Sequence, residues 1–254
     1  MRKLPTLFVL FSLVFSLAPR SWAGQDATVN EGTPLAWAMG TTGIVSEMVY
    51  MRYDLLGGFE PRPEVIAEWK QRLKNDWDIV DRGTLLGQLN WLVQTGHRKE
   101  FSTLALRVLK ASPEEIKAMA LKAKGDPEAI NKLDFVLKYT PLLKEKGLFA
   151  WDCCRHIFLC RIGYLVGYLS KEEAVNSIMK SARLLQKTYD SWTDMGQNYL
   201  WGREFWSYKH TSQDGRLYHE LYLKLLNTPS SPWNTNKWNM DLSTEKTVLK
   251  ISIQ

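Results

Sequence analysis

Helix punctuation recurs along this chain at intervals that leave little room for any other regular element. Ser112-Pro113-Glu114-Glu115 is the densest instance. The serine hydroxyl can take an orphan amide of the first turn, proline fits that turn because it has no N–H to lose, and Glu115 can reach back to close a capping box. Ser170 and Glu173 repeat the box, Asp81 supplies a further cap, and Gly125-Asp126-Pro127-Glu128 ends one helix and opens the next. Between these marks the apolar residues fall at helical spacing. Val65, Ile66, Trp69 and Leu73 share a face after the turn at Pro61 and Pro63, and Leu85, Leu89, Leu92 and Val93 recur ahead of Gly96, which reads as a helix stop.

Pro141 and Gly147 lead into a long apolar segment, residues 148–169. After it, Val175, Ile178, Met179, Ala182, Leu185 and Tyr189 keep one helix face apolar. The connection between these two helices is so short that they are predicted to fold back as an antiparallel hairpin. Further helices are expected near 192–207 and 216–226, whereas 227–239 is too rich in Pro, Ser and Asn for a regular element and 247–253 suits a short strand or a tail. No repeat of solenoid period is evident. The expected fold is therefore all-α, an irregular single-domain helical bundle over residues 47–240 with a central antiparallel helix hairpin. A mobile leader over 24–46 and a C-terminal tail over 241–254 are expected to flank it.

The first residues have another character. Arg2 and Lys3 precede an unbroken apolar and small-residue run, residues 7–18, and no acid occurs before Asp26. This is the pattern of a cleavable signal peptide, with Ser21 and Ala23 flanking Trp22 so that the cut falls before Gly24. The run stops at Pro19 and Arg20, short of the roughly 20 apolar residues that a membrane-spanning helix needs. Loss of residues 1–23 from the 254 removes three basic residues and no acid, lowering the formal net charge from +6 to +3. Such a mixed-sign surface argues against nucleic acid as a partner. Later segments contain no apolar run of about 18 residues, so no transmembrane anchor is expected after cleavage. The expected location is periplasmic or secreted.

Cys153, Cys154 and Cys160 are the three cysteines. On a helix, Cys153 and Cys160 stand about 10.5 Å apart at 1.5 Å per residue, beyond the roughly 7 Å a disulfide spans, so three reduced, buried thiols are expected. Cys153, His156 and Cys160 project from one side of such a helix, but ligands from a single element without a second Cys pair are a poor zinc set, so neither metal nor cofactor is expected. Ten of the eleven tryptophans lie beyond residue 23. They could line a sugar-stacking groove, but at helical spacing they read mainly as core.

Four stretches together carry a resemblance. They are WDIVDRGTLLGQLNWLVQTGHRKEF at 77–101, AWDCCRHIFLCRIGYLVGYLSKEEA at 150–174, LLQKTYDSWTDMGQNYLWGREFW at 184–206 and SPWNTNKW at 231–238. In this order they resemble the bacterial family catalogued as domain of unknown function 1266. The resemblance covers about residues 47–240 and implies a fold and no chemistry, since that family has no established activity. Its members are mainly cytoplasmic-looking proteins, a picture from which the signal peptide departs.

Within these stretches the polar residues Asp81, Arg82, His97, Arg98, Asp152, Arg155 and Arg203 form the candidate site. Asp152 and Arg155 lie three apart on an apolar helix and so offer each other an ion pair. Asp81 reads as an N-cap, and His97 with Arg98 sits at a helix end, where exposure and ligand contact are expected. The cluster serves either as a structural network or as a cleft. No HExxH, GxSxG or phosphate-cradling loop occurs, and His219-Glu220 lacks the second histidine of a zincin. The sequence therefore points to a non-catalytic binding, inhibitor or immunity-type module with an unknown protein or cell-envelope ligand as partner. An envelope hydrolase using the Asp/Arg/His cluster is the alternative.

Overall fold

The computed structural model describes residues 28–243. The signal-peptide reading of 1–23 and the strand-or-tail reading of 247–253 lie outside them. In chain order the elements are α1 (Pro34–Gly40), α2 (Gly43–Val49), α3 (Pro63–Trp77), α4 (Arg82–Gln94), α5 (Gly96–Lys110), α6 (Pro113–Ala123) and α7 (Pro127–Leu143). A 3₁₀ turn (Lys144–Lys146) leads to α8 (Phe149–Leu165), α9 (Lys171–Thr188), α10 (Trp192–Trp206), α11 (Tyr208–Asn227) and α12 (Pro232–Thr235). Extended pairing among the described residues is limited to one antiparallel bridge, Thr28 with Leu55. The fold is all-α.

The start signals act as their chemistry dictates. Ser112 and Ser170 each accept the amide three residues on, and Glu115 and Glu173 each take the cap residue's own N–H. Asp81 caps α4 in the same way, with Thr84 in the returning role.

Helix α8 is apolar nearly all round and is accordingly buried nearly all round, from Ala150 to Leu165. It packs against α9, α10 and α4. Residues 166–170 join it to α9, whose Ala174, Ile178, Met179, Ala182 and Leu185 form the inward face. A smaller aromatic core, Phe101, Phe135 and Phe205, joins α5, α7 and α10. Among the described residues no helix is long and apolar enough to cross a membrane.

Two local expectations are corrected. Residues 34–46 are not a mobile leader: α1 and α2 form there, and Trp37 is fully buried against Trp192 and Trp238, with ring centroids 4.8 and 5.0 Å away. The amphipathic run was short, and its partners lie in distant sequence. The segment 227–239 contains α12, held by three indole N–H groups: Trp192 donates to the Asn236 carbonyl, Trp233 to that of Gly40, and Trp37 to that of Trp238. Gly96 is the expected stop, since α4 ends at Gln94; at a left-handed φ of 58° it also begins α5, a helix that the sequence does not announce.

Candidate functional site

The reason for that left-handed turn is a carboxylate from another helix. Asp152, on α8 and 0% exposed, accepts the backbone N–H of His97 at 2.9 Å and that of Arg98 at 3.1 Å. These are orphan amides of the first turn of α5, so Asp152 caps a helix it does not belong to. A residue with a side chain could not stand at position 96, because its Cβ would fall inside the Asp152 carboxylate. Arg98 completes the arrangement. Its Nη1 reaches Asp152 Oδ2 at 3.0 Å and the Leu92 carbonyl at 2.6 Å, and its Nη2 donates to the Val93 carbonyl. One guanidinium thus closes the C-terminus of α4 while neutralising the acid that caps α5. Burial pushes the Asp152 carboxyl above the usual carboxylate range, and the two amides and Arg98 oppose that push.

The expected Asp152–Arg155 ion pair does not form. Asp152 turns to α5, and Arg155, on the same helix, enters a box of indoles. Its guanidinium carbon lies 4.4 Å from the Trp77 ring centroid, 4.5 Å from that of Trp151 and 5.8 Å from that of Trp206. Nη1 of Arg155 is buried without a hydrogen-bond partner, as is the indole nitrogen of Trp151. Burial lowers the Arg155 pKa to about 10, with the Asp152 charge acting in the other direction. His97 is half-buried rather than exposed, its ring edge-on to Trp91 at 5.1 Å. Burial, with the charges of Arg155 and Lys132, holds it down to about 3, so it is neutral at ordinary pH.

The remaining candidates stand apart from this centre. Asp81 and Arg82 are at the far end of α4, about 20 Å away for its 13 residues at 1.5 Å each. There Arg82 makes a bidentate pair with Glu173 at 2.7 and 3.0 Å and bonds the Tyr168 carbonyl, tying the starts of α4 and α9 together at the surface. Arg203 is buried in α10, paired with Asp214 and stacked over Tyr218 at 3.9 Å, and it fastens α10 to α11. Of the seven residues, His97, Arg98 and Asp152 meet, Arg155 stands beside them, and three serve other junctions.

The model of the family described as "Protein of unknown function (DUF1266)" matches residues 72–238. The chain belongs to this family. Two Escherichia coli (strain K12) proteins are similar to it. "Uncharacterized protein YbeU" is 29% identical over 168 residues, 59% of this chain and 69% of YbeU. "Uncharacterized protein YbeR" is 28% identical over 134 residues, 53% of this chain and 56% of YbeR. No solved structure matches. The DUF1266 region holds every member of the Asp152 centre. It does not include α1, which nonetheless packs its Trp37 on Trp192 and Trp238 inside that region.

Sequence reasoning missed one DUF1266-region residue of comparable weight, Arg161. It is fully buried with no carboxylate. Nε donates to the Leu56 carbonyl, Nη1 to the Thr42 and Ser46 hydroxyls, and Nη2 to the carbonyls of Arg52 and Leu55. Backbone oxygens leave no signature in sequence. The one available signal was an arginine within an otherwise apolar helix. His156 is buried against the Ser181 hydroxyl at 2.9 Å. Among the described residues no group of three or more His, Cys, Asp or Glu side chains is placed to hold a metal ion.

Proposed function

We propose that this chain is an exported, non-catalytic binding module of the cell envelope that docks a protein partner on the face formed by α5 and α6. The observation that carries this reading is α6 itself. Pro113–Ala123 buries no residue, and its Leu121 is 64% exposed while Leu106 and Leu109 of α5 are 58% and 67% exposed. Contiguous exposed apolar surface, as distinct from single exposed side chains, marks contact sites. Between the two helices runs a groove of about 450 Å³ lined by Ala111, Ala118 and Met119, with Arg107, Lys110 and Lys122 against the single acid Glu115, a basic excess that favours an acidic partner. An inhibitor or immunity-type role is one form of such binding. Export rests on the Arg2-Lys3 start, the apolar run and the small residues at Ser21 and Ala23.

The envelope-hydrolase alternative has less support. Its best acid, Asp152, is fully enclosed and already accepts three N–H groups, so it has no access to a substrate's proton. Photo-crosslinking residues placed at Leu109 and Leu121 in the producing cell test the docking face. A discrete adduct from both positions, absent when the crosslinker replaces exposed Leu184 of α9, supports it; no adduct, or the same adduct from all three, contradicts it. Intact mass of the native product tests export, with a chain starting at Gly24 expected and a retained Met1 contradicting it.

A further inference from the structure

Arg155 is a cation without an anion. Arg82, Arg98 and Arg203 each meet a carboxylate, whereas Arg155 has no carboxylate within ion-pair distance and no hydrogen bond among the described residues. Arg161 shows how this fold treats a guanidinium that it only has to bury: all three of its nitrogens donate to oxygen. Arg155 is treated otherwise. The rings of Trp77 and Trp151, with Trp206 further out, hold it by its faces, which leaves the N–H groups directed along its edge. Arg155, Trp77 and Trp206 are each only partly buried, so the rim of the box reaches the surface, while Nη1 of Arg155 and the Trp151 indole nitrogen lie beneath it. The indole N–H of Trp151 is a second donor without an acceptor.

Donors in surplus call for an acceptor, and the local charge sets its valence. Asp152 is already matched by Arg98, and Arg203 by Asp214, so the box carries one unbalanced positive charge. A dianion would bring a second negative charge towards the buried Asp152. We propose that Arg155 anchors a binding site for a free monocarboxylate carried on a flat apolar body, the carboxylate bridging the guanidinium edge and the body lying against Trp77 and Trp206. A planar fork matched to two carboxylate oxygens is what distinguishes arginine from lysine in such a role. This site is separate from the α5–α6 face.

The test uses the full mature chain labelled with ¹⁵N, following the indole N–H resonances while sodium benzoate, benzyl alcohol, capped aspartate and inorganic phosphate are titrated in turn. Benzoate is expected to move the signals of Trp77, Trp151 and Trp206 saturably and to leave Trp37 and Trp192 in place. Benzyl alcohol and capped aspartate are expected to bind about tenfold more weakly, as is benzoate to Arg155→Lys. Trp206→Leu, at a half-exposed position, gives a second variant should the first fail to fold, with benzoate weakened by about fivefold. Uniform or unsaturable shifts overturn the site, and so does benzoate affinity unchanged in both variants. Phosphate or capped aspartate binding as tightly as benzoate overturns the ligand class.

Discussion

Gly96 and the Asp152 carboxylate fit together as a socket and its plug. The glycine lacks the Cβ that would occupy the carboxylate's place, and its left-handed backbone turns the next two amides onto the acid. Gly96→Ala therefore meets two penalties, a strained φ of about 1 kcal/mol and displacement of a buried charge from its donors. A loss of about 3 kcal/mol is expected in urea unfolding. Gly87→Ala, in open space within α4, should be neutral or slightly stabilising by comparison. Equal effects at the two glycines would contradict the socket.

Acid should weaken the fold well above the pH at which carboxylates titrate. Burial holds His156 down to about 4 and His97 to about 3, against an ordinary value near 6.5 in the unfolded chain. Over that interval the unfolded state binds more protons than the native one. The stability of the neutral histidines is thus complete above the ordinary value and is lost as pH falls towards the depressed ones. Unfolding free energy should drop by about 1.4 kcal/mol per pH unit for each buried histidine between about pH 6 and pH 4.5. His156→Gln should roughly halve that slope, whereas a flat profile in the unmodified chain would count against both burials.

Thiol chemistry offers a separate check on α8. Cys153, Cys154 and Cys160 are free and buried, and burial pushes the Cys153 thiol up to about 12. Ellman's reagent should find almost no reactive thiol in the native protein and three after denaturation without reductant. One thiol after denaturation would mean a disulfide that the helix geometry forbids.

What could be read from sequence divides along a physical line. The boxes at Ser112 and Ser170 and the cap at Asp81 are legible because each joins atoms three residues apart, and the apolar faces of α3, α4 and α9 because periodicity is local, Val93 of α4 being the exposed exception. Gly96 is legible as the stop of α4, because glycine usually closes a helix, but not as the start of α5. The helix that it opens depends on a carboxylate 56 positions further on, which no local pattern announces. Spacing alone pairs Arg155 with Asp152, because it takes no account of the Arg98 guanidinium or of the indoles of α3, α8 and α10. Long-range pairing decides each of these cases, and one sequence carries no record of it.

Asp152 works as a structural clasp whose charge partner is Arg98. A double-mutant cycle in urea unfolding tests it with Asp152→Asn, Arg98→Met, Arg155→Met and the two double variants that include Asp152→Asn. Because one substitution strands the other charge, a coupling of about 1 to 3 kcal/mol is expected between positions 152 and 98, and less than about 0.5 kcal/mol between 152 and 155. The opposite pattern, with strong coupling to Arg155 and none to Arg98, would contradict the clasp.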